Sequence, residues 1–145
     1  MTSIQELIPV LQTAIGPVIL ISGVGLLLLS MTNRLSRVIE RARNLLALSE
    51  SVSGQARKRV LAQIDILWGQ AKLIRLSILL ASTSLLNAAC LIIVLFITAL
   101  FKIEDAWLVS ILFVACLLSL VGSLLAFITD INRSLAAFKV ELYDR

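Results

Sequence analysis

The densest run of chemically capable side chains is Asn33-Arg34-Leu35-Ser36-Arg37-Val38-Ile39-Glu40-Arg41-Ala42-Arg43, directly after the first apolar block. Arg34, Arg37 and Arg41 fall at i, i+3 and i+7, so a helix would carry them on one face. A row of permanently charged, multiply donating guanidinium groups suits two tasks. One is a basic ring at the inner mouth of an oligomeric pore, with Asn33 beside it; the other is a seat for anionic lipid headgroups. The plain alternative is an anchoring belt with a solvated face, which most membrane proteins carry on their cytoplasmic side. Glu40 stands three residues from both Arg37 and Arg43 and can pair with either.

Smaller groups recur inside the apolar blocks. Gly16, Pro17 and Gly23 make the first block a candidate for a kink or gate, because Pro17 removes a helix hydrogen bond and crowds the preceding turn. Ser22 and Ser30 could then face water. Against this, Gly and Pro are simply commoner in membrane helices than in soluble ones. In the third block Ala115, Ser119 and Ser123 recur at steps of four with Gly122 alongside, a pattern that lets helices approach closely. Asn87 in the second block needs a partner in hydrocarbon, and an interhelical hydrogen bond is the expected one. Cys90 and Cys116 read as small hydrophobes.

Several chemistries are excluded. The chain has no His, which removes imidazole catalysis and His-based metal sites, and two Cys cannot complete a four-thiolate zinc site. There is no phosphate-binding loop and no nucleophile–base pair. No apolar block holds an ionisable Asp, Glu, Lys or Arg, as proton relays and ion-coupled transporters require. Asp130 stands only at the inner edge of the third. No enzyme, cofactor or metal is expected, and no nucleic acid either, since Trp68 is the only aromatic residue in the basic segment 33–75.

Helices in lipid must position these groups. Of 145 residues, 59% are hydrophobic and 15% charged, and the mean hydropathy is +1.01. A soluble domain averages roughly 45–50% apolar and about 25% charged, and a chain this short cannot hide such a surface within itself. The spacing predicts spans over about 10–31, 76–101 and 106–129. The first lacks a basic lead-in, Glu6 being the only charge before Ala14, so no cleaved signal is expected. Segment 33–75 holds nine Lys or Arg against Glu40, Glu50 and Asp65, a net of +6. The positive-inside rule puts it in the cytoplasm, with the N-terminus and the Lys102 turn outside and the C-terminus inside. Trp107 suits the outer interfacial belt.

Segment 33–75 reads as a helical hairpin. Leu35, Val38, Ile39, Ala42, Leu45 and Leu46 have helical spacing, and Val60, Ile64, Leu67, Ala71 and Ile74 form a short heptad stripe. Ser49–Gly54 is the one strong break between them. The tail Asp130–Arg145 is short, amphipathic at best and charge-balanced. The expected fold is therefore an all-α integral membrane protein: a single membrane domain over 1–145, three transmembrane helices, and a cytoplasmic helical hairpin between the first and second.

The segment Asn33-Arg34-Leu35-x-Arg37-x-x-x-Arg41-x-Arg43-x-Leu45, then a polar break and two further spans, resembles the domain-of-unknown-function 2721 family of small bacterial membrane proteins over nearly the whole chain. The resemblance implies a bacterial three-span protein of the inner (plasma) membrane, and it carries over no functional residues.

Three spans enclose no pathway, and the hairpin's apolar stripe needs a partner, so self-association is expected. The leading functional expectation is a small homo-oligomeric channel whose first helix lines the axis, with Ser22, Ser30, Asn33, Arg34, Arg37 and Arg41 at the pore or its mouth. The alternative is a non-conducting scaffold or accessory subunit that binds an unidentified cytoplasmic protein through the hairpin.

Overall fold

The computed structural model describes residues 3–143, which form three helices: α1 (Ile4–Ser51), α2 (Gln55–Phe101) and α3 (Ala106–Tyr143). Local chemistry sets each boundary. Ser3 and Glu6 form a capping box: the Glu6 N–H donates to Ser3 Oγ at 3.3 Å, and the Ser3 N–H donates to Glu6 Oε2 at 3.3 Å. Between α1 and α2, Gly54 takes φ +69°, which a residue without Cβ adopts freely, and its carbonyl accepts the Lys58 N–H. Past Phe101, Lys102 takes φ 53° and the Ile103 N–H reaches back to the Thr98 carbonyl at 3.1 Å, the Schellman closure of a helix end. Asp105 Oδ1 then accepts the Leu108 N–H at 3.4 Å and caps α3.

The helices are far longer than a bilayer requires. The 48 residues of α1 give about 72 Å of helix at about 1.5 Å per residue, against a hydrocarbon core of roughly 30 Å. All three are long and apolar enough to cross a membrane. In the most apolar stretch of each, only 11%, 17% and 11% of residues are buried, so these surfaces face outward, as in a multi-pass membrane protein. Pro9 and Pro17 lie inside α1 without ending it. The third helix runs on past the expected span 106–129. It continues to Tyr143, and its apolar span is drawn over Ala106–Ala136. No Gly or Pro follows Gly122, so nothing in the sequence breaks the helix there. Asp144 and Arg145 of the expected tail lie outside the described residues.

The chain divides into two compact units. The first comprises Met1–Leu28 and Leu80–Gly122. Here α2 and α3 meet through small side chains: Ser84 Oγ donates to the Cys116 carbonyl at 3.0 Å, and Cys116 Sγ to the Ser84 carbonyl at 3.3 Å. A Cβ on Gly122 would lie 3.3 Å from Leu80 Cδ1, so glycine is what admits that leucine. Lys102 and Glu6 make an exposed ion pair at 4.0 Å, a weak tie in water.

The second unit comprises Leu29–Leu79 and Ser123–Arg145. Met31, Leu67 and Ile74 are buried in it, and Ser123 Oγ donates to the Ser77 carbonyl at 2.7 Å. The end of α1 and the start of α2 line one apolar cleft, with Val38, Ala42 and Leu46 from one and Ile64, Leu67 and Ala71 from the other. The helical spacing read from both segments is thus realised. On α2 the buried residues Leu67, Ile74, Ser77, Ala81, Ser84, Ala88 and Leu91 follow steps of seven, three and four, which extends the heptad stripe well past Ile74.

Candidate functional site

The most organised polar cluster lies in the second unit, where α1 meets α3. Arg34 Nε donates to Asp130 Oδ2 at 2.6 Å, and the Arg34 Nη2 group donates to Ser134 Oγ at 2.8 Å. The guanidinium carbon lies 6.0 Å from the centroid of the Phe127 ring. Phe127, Asp130 and Ser134 follow steps of three and four on α3, so one helix face presents ring, carboxylate and hydroxyl together. The Asp130 side chain is wholly buried while that of Arg34 is 32% exposed. Asp130 Oδ1 is also buried and has no hydrogen-bond partner among the described residues. The pair ties the first residues after one apolar block to the end of another. A charge-assisted bond of this length in a low-dielectric setting holds its two helices firmly.

Arg34 is thereby separated from its expected companions. Arg37 and Arg41 are exposed, as are Ser22, Ser30 and Asn33. Glu40 is exposed and forms no ion pair among the described residues, with Arg37 and Arg43 included. Ser22 Oγ donates to the Val18 carbonyl at 3.2 Å, which satisfies its hydroxyl within the helix. Gly16 and Gly23 are exposed, and an added Cβ at either would meet nothing within 4 Å. Pro17 is half-buried and borders an apolar cavity of 270 Å³ beside Ala88, Leu91 and Cys116 in the first unit.

Asn87 departs from expectation. It is half-buried and makes no interhelical hydrogen bond among the described residues. The small side chains that do bridge α2 and α3 are serines and a cysteine: Ser77, Ser84, Cys116 and Ser123. Of the expected stripe on α3, Ser123 is buried and hydrogen-bonded, Gly122 is in close contact, and Ala115 and Ser119 are half-buried. The contact line runs through Cys116 and Ser123, one position round from Ala115 and Ser119. Cys90 and Cys116 are both free thiols.

Asp130 is the residue that sequence reasoning undervalued. A signal existed: Arg34 is the first charge after the first apolar block and Asp130 the first after the third, and in a chain of three alternating helices the first and third run in the same direction. Opposite charges at matching ends are natural partners.

A family model described as a protein of unknown function, DUF2721, matches residues 14–140. The chain belongs to the DUF2721 family. No curated protein and no solved structure matches it significantly. The DUF2721 match includes the basic segment, the turn at Gly54, all three apolar blocks and Asp130.

Proposed function

We propose that this DUF2721 protein is a subunit of a small homo-oligomeric channel of the bacterial inner membrane, with the N-terminus outside, the C-terminus inside, and segment 33–75 as a cytoplasmic helical hairpin. The outer face of α1 lines the axis. One observation carries the reading. The small and polar positions of α1 (Gly16, Gly23, Ser30, Asn33, Arg37 and Arg41) are exposed on the protomer, whereas Ser77, Ser84, Ser123 and Asp130 of α2 and α3 are buried. A polar stripe turned to hydrocarbon is unfavourable, and a neighbouring copy or a water-filled axis relieves it. Arg37 and Arg41 then form the basic ring at the cytoplasmic mouth. Arg34 braces that mouth through Asp130 rather than facing the axis. The exposed arginines also meet anionic headgroups where they turn outward.

Purified protein in planar bilayers tests this reading. The wild type should conduct with a preference for anions, because a charged ring in a narrow, partly desolvated passage acts strongly on permeant ions. Arg37→Glu should move the reversal potential toward cations. Exposed Leu48, Leu61 and Ile66 on the two arms favour a second reading, a non-conducting scaffold that binds a cytoplasmic protein. Absence of current under voltage, tension and ligand trials would replace the channel with the scaffold.

A further inference from the structure

The cleft between the end of α1 and the start of α2 has a volume of about 390 Å³, and Leu35 and Arg75, the lining residues nearest the apolar blocks in sequence, are part of its wall. That volume is in the range of small-molecule sites, about 300–1,000 Å³. Its walls are apolar, and every charged side chain that lines it is a cation: Arg43, Lys72 and Arg75. Neither a carboxylate nor a neutral polar side chain lines it among the described residues. Trp68 stands at its edge, 62% exposed, with Lys72 Nζ 5.4 Å from the ring centroid. An exposed indole beside a lysine is the usual furniture of a membrane–water interface.

We propose that this cleft holds an anionic phospholipid of the inner leaflet, its acyl chain along Val38, Ile39 and Ala71 and its phosphate answered by Arg43, Lys72 and Arg75. Charge complementarity selects this occupant. A zwitterionic or neutral lipid leaves the excess positive charge unbalanced. The direction also fits: an inner-leaflet lipid points its chain toward the apolar blocks and its head toward the basic segment. The inference rests on the membrane orientation proposed above and not on conduction.

Contact quenching tests it. The chain has two tryptophans, so Trp107→Phe leaves Trp68 as the only reporter in the full-length protein. In phosphatidylcholine vesicles, phosphatidylglycerol with brominated chains should quench Trp68 at a several-fold lower mole fraction than brominated phosphatidylcholine. Arg43→Gln and Lys72→Gln should each reduce that preference, by up to about fivefold at low salt. Arg133→Gln, which removes the same charge outside the cleft, should leave it unchanged. Ala42→Phe, which fills the cleft, should abolish the contact. Equal quenching by the two lipids would overturn the site, as would an Arg133→Gln effect as large as that of Lys72→Gln. Photo-crosslinking from position 68 to another copy would also overturn it, placing the second chain there. Failure of the protein to float with vesicles would instead sink the membrane reading itself.

Discussion

Asp130 is buried, with one oxygen accepting from Arg34 and the other without a hydrogen-bond partner among the described residues. Removing one member of a buried ion pair strands the other, and for fully buried pairs this costs about 3–5 kcal/mol. Arg34 keeps about a third of its side chain exposed, and water can partly compensate, so the lower end of that range applies to Arg34→Ala. Asp130→Asn leaves a cation that can reach solvent and should cost less. The double variant Arg34→Ala/Asp130→Ala should recover part of the loss. Thermal unfolding in detergent checks the order. An Arg34→Ala variant that melts with the wild type would show that the carboxylate is hydrated after all.

At the scale of the helix, two glycines with different surroundings separate packing within the chain from the proposed packing between chains. Gly122 is crowded, its missing Cβ lying 3.3 Å from Leu80 Cδ1, whereas nothing approaches within 4 Å of the same position at Gly23. Gly122→Val should therefore lower the stability of the protomer by about 1–3 kcal/mol through overpacking. Gly23→Leu should leave the protomer's melting near that of the wild type and reduce the oligomer fraction in native mass spectra. An oligomer indifferent to Gly23→Leu would put the interface on another helix. Most element boundaries were legible beforehand, because the break at Ser49–Gly54 and the turn at Lys102–Asp105 carry local signals. The tail after residue 129 carries only a weak amphipathic pattern, and the partner that ties Asp130 to α1 lies 96 residues away.

For the whole molecule, the proposed orientation rests on the +6 segment. A membrane-impermeant thiol reagent applied from outside should label Glu104→Cys and miss Ser53→Cys. Labelling at Ser53→Cys alone would invert the topology, and with it the mouth at which Arg37 stands and the leaflet that supplies the lipid.

Three apolar helices, their turns and the basic segment between the first two were determined by the sequence alone. Each follows from transfer energy, helical periodicity or the freedom of a glycine, and none needs a distant residue. Within the apolar blocks, which side of a helix faces its neighbours was decided only by the tertiary structure. A helix that is apolar nearly all round offers little amphipathic pattern from which to read its rotation. The binding of Arg34 to Asp130, the exchange of hydrogen bonds between Cys116 and Ser84, and the absence of an interhelical hydrogen bond to Asn87 among the described residues all depend on that rotation and on register between distant segments. Small side chains settled it, because close approach of two backbones requires Gly122 and the serines to lie on the contact line.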